Sequence, residues 1–125
     1  MSTPKVLLVD SSDDCRAIYA TILRHGGFAV TVAACAGEAL SVARQAPPDL
    51  VVLAVTPPQG EALRVVRAFR AEAATARVPL LALSTVPSED EREQLRAEGL
   101  TAYAAKPCTP LELLAEVRRI LGSPG

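Results

Sequence analysis

The residues of this sequence that could do chemistry come directly after short apolar runs. They supply a carboxylate, hydroxyl groups and an ammonium group: Asp10 and Ser11 after KVLLV, Ser84 and Thr85 after VPLLAL, and Lys106 with Pro107 after TAYAA. The run LVVL ends instead in Ala54. Carboxylate oxygens are the kind of ligand that hard cations such as magnesium prefer, but the methyl group of Ala54 can neither coordinate a metal nor act as a nucleophile. Among these positions Asp10 is therefore the only acid.

Strand-like and helix-like segments alternate along the whole chain, and these elements must position the residues named above. Continuous apolar runs, typical of strands covered on both faces, occupy residues 5–9, 28–33, 50–54, 78–83 and 101–105. A helical pattern follows each run, and the first contains the i, i+4 pairs Ile18 with Ile22 and Tyr19 with Leu23. Five strand–helix units in succession predict a parallel sheet with helices on both faces.

Local signals mark the ends of several helices. The segment HGG at 25–27 is expected to end the first helix. Ser88 and Glu91 have capping-box spacing at the start of the fourth helix, which is expected to end at Gly99. The start of the fifth helix carries three signals: Thr109 as N-cap, Pro110 in the first helical position and Glu112 three residues after the cap.

These units predict an α/β fold of the flavodoxin-like, doubly wound kind. Because crossovers between parallel strands are right-handed, the five-stranded sheet should have the order 2-1-3-4-5. The functional crevice of such a sheet lies outside the carboxyl ends of the strands, between strands 1 and 3. The length corresponds to one domain, residues 1–125, with its core at 5–121 and a tail at 122–125.

Composition limits the classes of function. The chain is 50% hydrophobic but only 3% aromatic, so its core should be aliphatic. With 13 basic and 14 acidic residues the net charge is -1, which argues against a nucleic-acid partner. Apolar runs stay below the roughly 18 residues of a membrane span, and MSTPK lacks the apolar core of a signal peptide. We therefore expect a cytoplasmic protein.

Cys15, Cys35 and Cys108 lack zinc or redox spacing and are expected to be free thiols.

Four segments between Lys5 and Leu121 resemble the successive motifs of the response-regulator receiver domain family: KVLLVDSSDD, PPDLVVLAVTPP, VPLLALST and AYAAKPCTPLELLAEV. In that family, two acids after strand 1 and an aspartate ending strand 3 hold magnesium, and the aspartate accepts a phosphoryl group from a histidine kinase. A Ser or Thr after strand 4 and a Lys after strand 5 bind the phosphoryl oxygens. An aromatic residue on strand 5 reports the event to the surface of helix 4, strand 5 and helix 5.

The match to the family's site residues is partial. The positions that fit are Asp10 as first acid, Ser84 as hydroxyl, Tyr103 as switch aromatic, Lys106 as lysine and Pro107 as the proline after it. Ser11 replaces the second acid, and Ala54 replaces the phosphoacceptor aspartate. The loop from Pro58 to Gly60, which flanks the metal site in the family, is also shorter by about two residues than the resemblance leads us to expect. Several departures together favour a naturally degenerate receiver over a laboratory substitution at position 54.

We therefore interpret the chain as a pseudo-receiver, which is not an enzyme but a phosphorylation-independent module for protein–protein interaction. Partner proteins should bind through helix 4, strand 5 and helix 5, with Tyr103 on that surface. No cofactor is expected, and magnesium binding should be weak or absent because Asp10 is the only family ligand left. Asp13 and Asp14 fit better as anions in the first turn of helix 1. The alternative is a phosphoacceptor receiver in a histidine-kinase phosphorelay, inactivated in the laboratory at Ala54 or using another acceptor residue.

Further expectations concern individual side chains. Lys106 should form a salt bridge to Asp10, directly or through one water, because a partly buried unpaired charge is costly. Leu95 is the only large apolar residue of helix 4, so that helix should be held weakly. The arginines of helix 3 and its exit should form a solvated face rather than a docking patch: Arg64, Arg67, Arg70 and Arg77.

Overall fold

The described part of the chain folds into five strands and five helices in alternation. The computed structural model describes residues 3–54, 60–85, 89–106 and 109–122, with residues 36, 60–63, 84, 85, 91, 92, 105 and 106 described by their backbone alone. The strands are β1 (Lys5–Asp10), β2 (Ala29–Ala33), β3 (Leu50–Ala54), β4 (Leu80–Thr85) and β5 (Ala102–Lys106). The helices are α1 (Asp13–His25), α2 (Ala36–Gln45), α3 (Gly60–Ala71), α4 (Glu89–Glu98) and α5 (Pro110–Leu121). Of these described helices, none is long and apolar enough to span a membrane.

The strands form one parallel sheet of order β2-β1-β3-β4-β5, which confirms the predicted topology. The strand limits agree with the apolar runs to within two residues, and the largest difference is at β4, which begins at Leu80. Before it, Val78 closes a turn by donating its N–H to the Thr75 carbonyl at 3.2 Å. Pro79, which follows, has no N–H to give to a neighbouring strand.

An apolar layer covers each face of the sheet. Because successive strand residues point to opposite faces, Val51 and Leu53 of β3 join the layer under α2, α3 and α4. Leu50 and Val52 join the layer under α1 and α5. Both layers are largely aliphatic, as the composition predicts, although the largest fully buried side chain is that of Phe69.

The predicted ends of α1 and α4 are confirmed, and both use a glycine in the left-handed conformation. After α4, Gly99 (φ 117°) donates its N–H to the Arg96 carbonyl at 3.0 Å, and Leu100 donates to the Leu95 carbonyl at 2.9 Å. These two bonds form a Schellman motif, which buried Leu95 and Leu100 complete with an apolar contact. After α1 the corresponding glycine is Gly27, with φ 96°.

The predicted capping box at the start of α5 is also present. The Glu112 N–H donates to Oγ1 of Thr109 at 3.1 Å, and the Thr109 N–H donates to Oε1 of Glu112 at 3.1 Å. Pro110 occupies the first turn, where its missing N–H costs nothing. The capping box expected at Ser88 lies outside the described residues.

The prediction that the arginines of α3 and its exit form a solvated face is wrong at one position. Three of the four arginines are exposed as expected: Arg64, Arg67 and Arg77. Arg70 is instead partly buried, and its guanidinium donates to backbone carbonyls of two loops. The physical reason is its place beside the apolar stripe of α3, because Arg70 directly follows buried Phe69 and lies four residues after buried Val66.

Candidate functional site

The carboxyl ends of β1 and β3 bring Asp10 and Ala54 together. The two residues are register partners in adjacent parallel strands. Both are buried, with exposed fractions of 2% for Asp10 and 4% for Ala54. On its other side Ala54 pairs with Leu83 of β4. At the predicted functional crevice between strands 1 and 3, a single carboxylate therefore lies beside apolar neighbours.

The Asp10 carboxylate uses one of its two oxygens locally. Oδ1 accepts a hydrogen bond from the Ser12 backbone N–H at 2.9 Å. Oδ2 is buried and has no hydrogen-bond partner among the described residues. Because a buried carboxylate oxygen without a donor is costly, Oδ2 is the atom of this site that is open to a donor.

The start of α1 places a cation beside Asp10 that the sequence reasoning had not identified. Nη1 of Arg16 donates to the backbone carbonyl of Asp10 at 2.8 Å, and Nη2 pairs with the carboxylate of Asp13. The Arg16 side chain is only 20% exposed, whereas that of Asp13 is 88% exposed. The i, i+3 spacing of Asp13 and Arg16 is the sequence signal that points to this pair. Arg16 thus brings a positive charge to the rim of the site.

The described residues do not fit the magnesium ion that the family resemblance implies. Magnesium requires several oxygen ligands in near-octahedral geometry, and among the described side chains at the strand ends only Asp10 offers a carboxylate. Ser11 is exposed, and Asp13 and Asp14 lie in the first turn of α1 as expected. No group of three or more metal-ligating side chains occurs within the described ranges. One free carboxylate oxygen does not make a magnesium site.

The remaining predicted site residues are brought to the same edge by their strands. Ser84 pairs with Ala105, and Thr85 pairs with Lys106, where β4 and β5 end. The backbones of Ser84 and Lys106 therefore reach the carboxyl edge that also carries Asp10, as the topology predicts. The side chains of Ser84 and Lys106 lie outside the described set, as do Pro107 and the loop from Pro58. The expected Lys106–Asp10 salt bridge accordingly remains a prediction.

Tyr103 lies on β5, which is the edge strand of the sheet on that side. Its side chain is half-buried and packs against the apolar layer under α2, α3 and α4. A shallow groove runs beside it, bordered by the last turn of α4 and the start of β5: Arg96, Leu100, Thr101, Ala102 and Tyr103. We call this surface the α4–β5 groove.

The chain matches the model of the response regulator receiver domain over residues 6–118. It is 36% identical over 121 residues to the transcriptional regulatory protein PrrA of Mycobacterium leprae, a match that covers 97% of this chain and 51% of that protein. This chain therefore spans about half the length of that relative. It is 32% identical over 114 residues to an uncharacterized 14.6 kDa protein of Leptolyngbya boryana, covering 91% of this chain and 87% of that one. The structure of chemotaxis protein CheY4 of Vibrio cholerae is similar with a TM-score of 0.88 and 31% identity, covering 95% of this chain and 99% of that one.

Proposed function

This chain belongs to the response regulator receiver domain family, and we propose that it is a pseudo-receiver, which binds a partner protein independently of phosphorylation. The observation that carries the proposal is the pairing of Asp10 with Ala54 at the ends of β1 and β3. Ala54 stands where the family resemblance puts the phosphoacceptor aspartate. A buried methyl group has no lone pair with which to attack phosphorus.

The surroundings of Asp10 support a site without phosphoryl transfer. Such transfer depends on metal ions and other cations that neutralise charge on the phosphoryl oxygens. Among the described side chains at the strand ends, Asp10 carries the only carboxylate, and its Oδ2 has no hydrogen-bond partner among the described residues. The guanidinium of Arg16 is already bonded to the Asp10 carbonyl and to Asp13. Arg16 therefore stabilises the β1–α1 connection instead of serving an incoming phosphoryl group.

The partner-binding face that we propose consists of α4, β5 and α5. It contains the α4–β5 groove, which is lined by exposed Arg96 of α4 and half-buried Tyr103 of the edge strand β5. Tyrosine and arginine are enriched at protein interfaces because they combine apolar contact area with hydrogen-bond donors. We propose no catalytic activity for the domain, and a protein rather than a nucleic acid as its partner.

Incubation with acetyl phosphate and magnesium, followed by measurement of the intact mass, tests this function. We expect the mass of the chain to stay unchanged, while a competent receiver domain in the same tube gains one phosphoryl group and so verifies the donor. A phosphoryl group on this chain would overturn the proposal. The complementary experiment is a pull-down with this domain as bait, in which capture of the partner should not depend on the donor.

A phosphoacceptor receiver is the second candidate, either inactivated in the laboratory at Ala54 or using another acceptor residue. The positions that still match the family's site favour it, namely Asp10, Ser84 and Lys106. Peptide mapping of any phosphorylated chain would identify another acceptor. A revertant Ala54→Asp that is phosphorylated readily would support the laboratory substitution.

A further inference from the structure

Arg70, near the end of α3, joins two loops that are distant in sequence. Its Nε and Nη2 donate to the Gly99 carbonyl at 3.1 and 2.7 Å. Its Nη1 donates to the carbonyls of Val78 at 2.7 Å and Ala76 at 3.0 Å, with a longer contact of 3.4 Å to that of Thr75. Every acceptor is a backbone carbonyl, and none of the ion pairs formed by the described residues involves Arg70.

The shape of the guanidinium suits this bridging contact. A partly buried charge is tolerated only when it is hydrogen-bonded, and here the loss of water also lowers the pKa of Arg70. The planar fork of arginine presents donors in several fixed directions, whereas the lysine ammonium is a compact point charge. Arg70 can therefore hold the α3–β4 loop with Nη1 while it holds the α4–β5 turn with Nε and Nη2.

Gly99 is matched to Arg70 by its lack of a side chain. A Cβ at this position would lie 2.6 Å from Nε and 2.9 Å from Cγ of Arg70. The φ angle of 117° independently favours glycine at the same position. A side chain at position 99 would therefore force the Arg70 side chain to shift from its present position.

The turn that Arg70 holds leads directly into the α4–β5 groove. After Gly99, Leu100 is buried, and Thr101 donates its N–H to the Leu80 carbonyl at 3.0 Å. The Leu80 N–H donates in return to Oγ1 of Thr101 at 2.9 Å. The groove residues Leu100 to Tyr103 therefore begin one position after the carbonyl that Arg70 binds.

We propose that Arg70 is a positioning residue for the partner-binding face, because its guanidinium fixes the α4–β5 turn and the turn sets the position of Tyr103. The inference rests on the proposed function in one respect, that the α4–β5 groove belongs to that face. The Arg67–Glu98 pair at 3.1 Å also crosses from α3 to α4. Arg67 is exposed and Glu98 is only half-buried, so water and salt screen the pair, whereas the hydrogen bonds of Arg70 to Gly99 are partly buried.

The two tyrosines of the chain make fluorine NMR a direct test. Protein labelled with 3-fluorotyrosine should give one signal for Tyr103 and one for Tyr19, which lies in the apolar layer on the opposite face of the sheet. Arg70→Met keeps a long apolar side chain and removes every donor. We expect it to shift the Tyr103 signal and leave the Tyr19 signal in place, with Tyr19→Phe used for assignment. Arg67→Met, on the same helix, is the matched control and should shift neither signal.

Guanidinium rescue provides a second measurement that does not depend on the folding of Arg70→Met. In Arg70→Ala, added guanidinium at a concentration far below the denaturing range should bind the backbone carbonyls that Arg70 otherwise contacts, namely those of Ala76, Val78 and Gly99. It should thereby return the Tyr103 signal to its wild-type position. Sodium chloride at equal ionic strength should not. A Tyr103 signal that is unmoved by Arg70→Met, or equal shifts of both tyrosines, or a failed rescue, would overturn the proposal. None of these measurements needs a partner or a phosphodonor, so their failure is distinct from failure of the pseudo-receiver function.

Discussion

Asp10 and Ala54 face each other in register across β1 and β3, and between them they offer one buried carboxylate oxygen, Oδ2 of Asp10, that has no donor among the described residues. Ser11, the residue after Asp10, is exposed and carries a hydroxyl where the family resemblance has an acid. By that resemblance, the positions of the nucleophile and of one metal ligand are both changed, at two neighbouring strand ends. Repair of one of them should leave the other defect in place.

We accordingly expect Ala54→Asp alone to gain little phosphorylation from acetyl phosphate and magnesium. The single revertant regains the nucleophile, but its metal site has two carboxylates and a serine hydroxyl. Because hard cations depend on the charge and number of their oxygen ligands, magnesium should bind the single revertant weakly. The double variant Ser11→Asp/Ala54→Asp should gain clearly more, as measured by intact mass over time.

The comparison of the two revertants also tests whether Ser11 contributes to the loss of phosphorylation. If the single revertant is phosphorylated as fast as the double one, Ser11 is not a lesion, and a laboratory substitution at position 54 becomes the better explanation. Ser11→Asp alone is the matched control, since it restores the ligand without the nucleophile and should stay unmodified.

The helix α4 should exchange its amide hydrogens faster than α1 and α5. Leu95 is the only buried residue among the described side chains of α4, whereas α5 buries Leu113, Leu114 and Val117. With fewer buried contacts, α4 should open at a lower free energy. Hydrogen exchange read by mass spectrometry checks this over Glu89–Glu98, and equal protection of the three helices would contradict it.

Much of this fold could be predicted because its signals are local. The apolar runs fix the strands, and the capping residues of α5 and the glycines after α1 and α4 fix helix ends through contacts within a few positions. The topology then follows from the handedness of crossovers, which brings Asp10, Ala54 and the backbones of Ser84 and Lys106 to one edge.

The side chains of two arginines could not be assigned in the same way. Arg70 binds carbonyls that are up to 29 positions away, and Arg16 binds the carbonyl of Asp10 across the β1–α1 connection. Both contacts depend on which backbone carbonyls of a folded loop face a helix. The hydrophobic periodicity of the sequence carries no information about the orientation of those carbonyls. For Arg70 the place beside Phe69 was a usable signal, because a charged residue that borders an apolar stripe has to find partners.

Thr109→Ala should destabilise the domain by about 1 kcal/mol, the usual contribution of an N-cap side chain. The substitution removes the Oγ1 atom that accepts from Glu112 and breaks one half of the capping box. Chemical denaturation gives the free energy of unfolding. The control is Thr21→Ala, since the Thr21 hydroxyl donates to the Ala17 carbonyl within its own helix, and alanine is the better helix former there. Equal losses in both variants would show that the cap contributes nothing specific.

Acid should weaken the domain through three glutamates that the fold keeps ionised. Hydrogen bonds from Arg44 lower the pKa of Glu72, and those from Arg67 lower the pKa of Glu98. In the capping box, the Thr109 backbone N–H and then its side chain lower the pKa of Glu112. A carboxyl whose pKa is lower in the folded state adds stability above its unfolded pKa, about 4.3 for glutamate, and loses it as the pH falls through the folded value.

The triple variant Glu72→Gln/Glu98→Gln/Glu112→Gln should therefore lose less thermal stability than the wild type when the pH is lowered from neutral to values below the pKa of free glutamate. The wild type should be the more stable of the two at neutral pH, and the gap should close in acid. The difference should be small and should shrink in high salt, because all three carboxyls remain at least partly accessible to water. Glu38→Gln is the control, an exposed glutamate outside these three contacts. A gap between wild type and triple variant that stays constant down to acid pH would contradict the prediction.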